Sequence, residues 1–105
     1  MDEIMVELGF PENLRGTGYL RRAAAEWLRN PGQSITKELY PSIGAECGAS
    51  PIQVERCMRH AIERAWAQGN PDAQRRVFGW TYSARMGRPR VGEFVARIAR
   101  VCNEN

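Results

Sequence analysis

Signals that begin and end helices stand close together in the stretch PSIGAECGASPIQVERCMRHAIERAW. Pro41 suits the first position of a helix, because a backbone N–H would be unpaired there in any case. Gly48 can adopt the left-handed backbone angle that ends this helix and turns the chain. Ser50 can then cap a second helix that has proline in its first position, and Gln53 can complete a capping box with it. These residues predict a helix-turn-helix over about 41–67.

The second predicted helix, residues 51–67, has one apolar and one polar side. Its apolar residues recur at spacings of three and four; they are Val54, Cys57, Met58, Ala61, Ile62, Ala65 and Trp66. Its polar residues lie off this stripe; they are Gln53, Glu55, Arg56, Arg59, His60, Glu63 and Arg64. Gly44 and Ala45 are small residues where the two helices must approach each other. A polar front on the first half of the helix suits recognition of the DNA major groove, and an ordinary helical hairpin with a solvated charged face is the alternative.

Helices are also predicted on both sides of this motif, with bounds set by glycine, proline and capping residues. They cover residues 2–8, 17 or 18 to 29, 35–40 with an interruption at Pro41, 71–77 and 91–101, and the stretch 13–18 is predicted as a loop. Phe78, Trp80 and Tyr82 are interpreted as core anchors, with a partner-binding patch as the alternative. The sequence therefore predicts an all-α fold, with six or seven helices in one compact domain of residues 1–105.

Arginine dominates the basic residues of the chain. Lys37 is the only lysine among 15 basic residues, and the formal net charge is +3. The planar guanidinium suits bidentate contact with phosphates and guanine edges, although a high-GC genome would produce the same bias. The sequence RMGRPR places Arg85, Arg88 and Arg90 in a predicted loop. We interpret these three as phosphate contacts or solvated side chains, with insertion into a minor groove as the alternative.

The sequence lacks the residue patterns that zinc-binding proteins, enzymes and membrane proteins need. Cys47, Cys57 and Cys102 are odd in number and form no CxxC pair. They are typical of cysteines used as small apolar residues in a reducing cytosol, rather than of a zinc site. His60 has no carboxylate or serine partner at a catalytic spacing, so we expect no enzyme activity, metal or cofactor. With no signal peptide and no apolar run long enough to cross a membrane, a cytoplasmic location is expected.

Two long blocks of the sequence resemble one known family. They are SITKELYPSI at residues 34–43 and VERCMRHAIERAWAQGN at 54–70, supported by GYLRRA at 18–23, Phe78-Gly79 and Glu93-Phe94. The family is the C-terminal effector domain of the sporulation-initiation response regulator of endospore-forming Firmicutes, and the similarity covers nearly the whole chain. A phosphorylatable receiver domain normally precedes this domain in that family. An excised domain and a stand-alone relative both agree with the sequence.

The resemblance implies an all-α domain that binds double-stranded DNA at short promoter boxes, often as tandem copies on adjacent sites. It implies that Glu55, Arg56 and Arg59 contact bases or line the groove, with His60 beside them. Gln53 belongs to the same DNA-binding set, but the family usually carries arginine there, so an altered box is expected. Each arginine can bind a guanine bidentately. Glu55 can accept from a cytosine amino group, or it can orient one of the arginines by a salt bridge.

A second expectation concerns protein partners. In the family, the segment that corresponds to about 68–79 contacts an RNA polymerase sigma factor, but the charges of Asp72, Arg75 and Arg76 depart from the family pattern. A rival interpretation is a helical protein-interaction module that binds a sigma factor or another regulator without touching DNA. Salt separates the two, because DNA binding weakens steeply with salt and an apolar interface does not.

Overall fold

The computed structural model describes residues 2–79 and 87–104, and everything reported below refers to them. Six α-helices and one π-helical segment follow one another along the chain. They are α1 (Asp2–Leu8), α2 (Arg15–Arg29), the π-helical segment (Ile35–Leu39), α3 (Tyr40–Cys47), α4 (Pro51–Gln68), α5 (Pro71–Phe78) and α6 (Val91–Glu104). No strand occurs in this part of the chain. The predicted all-α fold is confirmed, and so is the expected number of helices.

The helix α4 lies at the centre of the packing. Helices α2, α3 and α6 all contact it, and α2 also packs on α6. Its buried residues are Val54, Met58, Ala61, Ile62 and Ala65. This is the apolar stripe predicted from the sequence, and Cys57 and Trp66 lie partly buried at its edge. Burying a side chain the size of Ile62 contributes about 1.5–3 kcal/mol, so the inner face of α4 is firmly held while its outer face stays free.

The start of α2 differs from the prediction. The helix begins at Arg15, inside the stretch predicted as a loop, rather than at residue 17 or 18. A Cβ on Gly16 would lie 1.9 Å from the backbone oxygen of Cys57, so glycine is needed here for the close approach of α2 to α4. The hydroxyl of the buried Thr17 donates to the carbonyl of Pro11 at 2.7 Å and fixes the first turn. The sequence predicts a loop here because the role of Gly16 depends on a distant part of the chain.

Two further expectations around α3 are corrected. Ala45 is exposed and does not lie at the helix contact. Gly44 is buried, but its close neighbour is the turn, since a Cβ there would lie 2.3 Å from the carbonyl oxygen of Ala49. The predicted interruption at Pro41 is wrong, because Tyr40 is helical (φ −61°, ψ −45°) and joins the π-helical segment directly to α3. Proline is tolerated in this first turn, where no donor is required.

An aromatic cluster closes the core beside the end of α4. The rings of Phe78 and Phe94 stack with centroids 5.4 Å apart, and Trp66 meets the Phe78 ring edge-on at 5.3 Å. Phe78 is buried, as the core interpretation predicts. The two other aromatics of that prediction, Trp80 and Tyr82, lie outside the described residues.

Candidate nucleic-acid interface

The beginning of α4 is fixed by local hydrogen bonds that the sequence predicts. Gly48 ends α3 in the left-handed conformation, with φ 71°. The Gln53 backbone N–H donates to the Ser50 hydroxyl at 3.1 Å, and the Ser50 N–H donates to the Gln53 side-chain oxygen at 2.9 Å. The predicted capping box is therefore confirmed. Gln53, expected to contact DNA, also has a structural task at this position.

The outer face of α4 carries the polar side chains expected there. Arg56, Arg59 and His60 are exposed, and Glu55 is half-buried. The guanidinium of Arg59 lies 3.4 Å from the Glu55 carboxylate and 3.8 Å from that of Glu63. In the free protein, Glu55 therefore contacts Arg59. Arg56, Arg59 and His60 are therefore accessible from solvent.

A second element contributes an arginine next to Arg56. Arg15, at the first position of α2, lines a shallow depression together with Gln53 and Arg56. The side chain of Arg15 is exposed. Sequence reasoning missed Arg15, because no spacing in the sequence connects α2 to the start of α4. Only the close approach at Gly16 brings them together.

Residues 87–90, the described part of the basic RMGRPR loop, lie on the other side of α4. Arg88 and Arg90 line a depression that also includes Tyr40, Glu55 and Arg59. Arg90 is exposed, and Arg88 is half-buried. Arg88 also borders a neighbouring depression with His60 and Arg64. Two of the three loop arginines thus lie beside the predicted recognition helix, and the third, Arg85, lies outside the described residues.

Tyr40 lines the same depression as Glu55 and Arg59 of α4. Burial raises the pKa of its phenol above the usual value, the Glu55 carboxylate adds to this rise, and Arg59 opposes it. The phenol therefore keeps its proton at any physiological pH and places no negative charge beside the arginines. This side chain was not predicted as part of the site, because only the junction between the π-helical segment and α3 brings it to α4.

Ile52 is an exposed apolar residue at the start of the otherwise polar outer face of α4. It is 65% exposed, and among the described residues the only other large apolar side chain marked by such exposure is Val6, at 62%. Ile52 stands four residues before Arg56 on a helix, so the two lie on the same face. No pattern in the sequence predicts a role for Ile52.

The predicted sigma-factor segment corresponds mainly to α5. Asn70 caps this helix by accepting from the backbone N–H of Asp72 at 2.9 Å. Arg75 pairs with Asp72 at 3.2 Å, and Arg76 pairs with Glu7 of α1. All three charged residues of α5 are exposed. They form a surface next to the C-terminal end of α4, away from Arg56.

The described residues carry neither a metal-ion cluster nor a membrane-spanning helix. No group of three histidine, cysteine or acidic residues stands close enough to hold a metal ion among residues 2–79 and 87–104. The three cysteines are free thiols, and Cys47 is exposed. In the part of the chain described by the structure, no helix combines the length and the apolar character needed to span a bilayer.

Comparison with known protein families identifies a family that matches nearly the whole chain. Residues 1–102 match the family described as "Sporulation initiation factor Spo0A C terminal". The match covers every helix reported above except the last two residues of α6. It includes the helix-turn-helix, the basic loop and α5.

Proposed function

The chain belongs to the Spo0A C-terminal family of DNA-binding effector domains, and we propose that it recognises a short promoter box in the major groove of double-stranded DNA through α4. As a member, it is a DNA-binding regulatory domain of the sporulation response-regulator type. The family is not one of enzymes. The proposal goes further than the family match, because it names the helix that binds DNA, the groove that this helix enters and the residues that make the contacts. We also propose that the protein is located in the cytoplasm, as the sequence predicts.

One observation carries this proposal. The first ten residues of α4 include Arg56, Arg59 and His60, all exposed to solvent, while the opposite face of the same helix is buried. The capping box fixes the N-terminus of α4, so the helix backbone that carries these side chains is held in place. The N-terminal residues of a recognition helix are those that reach base edges in a helix-turn-helix complex. The arrangement therefore supports direct readout by α4.

The side chains of α4 have distinct proposed tasks. Arg56 and Arg59 each bind the O6 and N7 atoms of a guanine, which is worth about 1–3 kcal/mol of discrimination per contact. Glu55 orients Arg59, a role that the 3.4 Å contact between them supports more directly than a hydrogen bond from cytosine. His60 contacts a backbone phosphate. Gln53 offers its amide N–H groups to the groove while its oxygen remains in the capping box.

Arginines beside α4 supply affinity that does not depend on sequence. We assign Arg88 and Arg90 on one side and Arg15 on the other to phosphates, with Arg85 as a further contact from the same loop. Each phosphate neutralised releases counterions, so each contact adds about 0.9 to the slope of log affinity against log salt. Replacing Arg15 by Ala should therefore reduce the slope by about one unit and weaken binding to all sequences alike.

Two partner arrangements extend the proposal. Tandem copies of the domain bind adjacent boxes, as the resemblance implies. The exposed charges of α5, within residues 68–79, contact a sigma factor of RNA polymerase. The position of α5 supports this, because Asp72, Arg75 and Arg76 lie next to the far end of α4 and stay accessible when its first half is in the groove.

The rival function is a helical module that binds a sigma factor or regulator and never touches DNA. A selection from random duplex DNA with this domain separates the two. The DNA-binding proposal expects an enriched short sequence whose affinity falls steeply between 50 and 200 mM salt, by about 10³ or more for six phosphate contacts. Absence of enrichment, together with salt-independent capture of a sigma factor, would support the rival.

A further inference from the structure

Ile52 stands in an unusual place for an exposed isoleucine. It is the second residue of α4, directly after the proline that follows the Ser50 cap. It lies off the buried stripe, which begins at Val54. A helix turns by about 100° per residue, so residues four and seven positions further share its face. Those residues are Arg56 and Arg59, the two arginines proposed to read bases.

We propose that Ile52 contacts the 5-methyl group of a thymine in the major groove and so specifies a T·A pair beside the pair read by Arg56. This rests on the proposed function and deepens it. The thymine methyl is the one apolar group that the four bases present in the major groove. The first turn of a recognition helix is the part that enters the groove. An isoleucine at this place meets the methyl with an apolar surface of matching character.

The chemistry of Ile52 also disfavours the other bases. Its side chain has no donor or acceptor, so it cannot bond the N7 of a purine or the amino group of cytosine. Covering such a polar atom without a hydrogen bond is unfavourable. The preference for thymine therefore has two sources, burial of the methyl group and exclusion of edges that need a polar partner. Burial of one methyl or methylene group corresponds to about a fourfold change in affinity.

The surroundings of Ile52 favour DNA over an apolar protein partner. The next residue, Gln53, and the residue one turn further along the helix, Arg56, are both polar and exposed, and Arg15 lines a depression with these two. A single isoleucine in a basic surface does not form an apolar patch large enough for a stable protein contact. An isolated isoleucine does suit DNA, because the polar major groove exposes the methyl groups of single thymines.

Deoxyuridine provides a direct test, because it differs from thymidine only by the missing 5-methyl group. Each thymine of the selected box would be replaced in turn by uracil, and affinity measured at fixed salt for the unaltered domain and for Ile52→Ser. The unaltered domain should lose about fourfold at one thymine position of each box. Ile52→Ser should bind the thymine and uracil forms of that position equally.

Val6→Ser is the matched control. Val6 is equally exposed, but α1 adjoins the other end of α4, where a Cβ on Gly9 would lie 2.5 Å from the Cα of Gly69. Ile52 lies one residue inside the N-terminus of the 18-residue α4, so the other end of the helix is about 24 Å away from it. Val6→Ser should keep the full response to uracil. Both variants should keep the thermal unfolding midpoint of the unaltered domain, because both side chains are exposed.

Several results would overturn the thymine contact. The unaltered domain could show no uracil-sensitive position, or Ile52→Ser could retain the same sensitivity. A loss in Ile52→Ser confined to paired boxes would instead assign Ile52 to contact with a neighbouring domain. Specific binding without a methyl response overturns this inference alone, whereas failure to enrich any duplex overturns the proposed function together with it.

Discussion

The guanidinium of Arg59 lies 3.4 Å from the carboxylate of Glu55, one turn earlier on α4. An arginine proposed to bind guanine is therefore already held by an acidic partner in the free protein. Exposed ion pairs of this spacing are worth only about 0.3–0.5 kcal/mol, so their effect on folding is small. Their effect on recognition can be larger, because a side chain fixed in direction loses less freedom on binding.

A double-mutant cycle on Glu55 and Arg59 tests this relationship. If Glu55 acts by orienting Arg59, then Glu55→Ala should weaken binding to the selected box in the unaltered domain and have little further effect in Arg59→Ala. The measurement is affinity for the box with all four proteins at one salt concentration. Additive losses would show that Glu55 makes its own contact, as a hydrogen bond from cytosine would.

Gly16 and Gly18 form a matched pair for testing the packing of α2 on α4. A Cβ on Gly16 would clash with the Cys57 carbonyl, whereas a Cβ on Gly18 would meet nothing within 4 Å. Gly16→Ala should lower the free energy of unfolding by about 1–3 kcal/mol, the usual effect of overpacking. Gly18→Ala should raise it by about 0.5–1 kcal/mol, since glycine inside a helix is unfavourable. Urea unfolding measures both, and equal effects would contradict the close approach.

Gln53→Arg tests two tasks of one residue. We expect arginine to tighten binding to the box preferred by the rest of the family, because it restores a basic side chain at the groove. The same change removes the oxygen that accepts from the Ser50 N–H. The free energy of unfolding should therefore fall by about 0.5 kcal/mol, less than for Ser50→Ala, which removes the cap itself. No gain in affinity for that box would show that the departure at residue 53 is compensated elsewhere or irrelevant to box choice.

Tyr40 predicts a specific loss of stability at alkaline pH. Burial, assisted by Glu55, raises the pKa of its phenol in the folded protein above the value near 10 of an unfolded chain. Above pH of about 10 the unfolded state releases this proton before the folded state does, so unfolding becomes more favourable as pH rises. Relative to Tyr40→Phe, the unaltered domain should lose stability progressively as pH rises above about 10. Parallel curves for the two proteins in urea unfolding would contradict the raised pKa.

Local signals explain what the sequence predicts well. The Ser50–Gln53 capping box, the left-handed Gly48 and the apolar stripe of α4 all depend on residues within a few positions of one another. Their geometry is settled by backbone preference and helical period, so it could be predicted without knowing the rest of the fold. The outward direction of Arg56 follows from the same period.

What was missed depends on contacts between distant segments. Gly16 appeared to be a loop glycine because its partner, the Cys57 carbonyl, is 41 positions away along the chain. Arg15, Tyr40 and Arg88 also lie beside α4 only because segments distant in the sequence pack together. Ile52 was overlooked for another reason. Its exposure is unexpected only once the direction of the buried stripe is known.

The central claim, that α4 reads base edges through Arg56, is tested most directly by comparing Arg56→Ala on two duplexes. One carries the selected box and the other has a random sequence, with Arg29→Ala, an exposed arginine at the opposite end of α2 from Arg15, as the control. Loss of a bidentate guanine contact predicts a drop of about 5- to 150-fold on the box. On random duplex the affinity should change little, and Arg29→Ala should change neither. Equal losses on both duplexes would contradict base reading and would leave Arg56 as a phosphate contact.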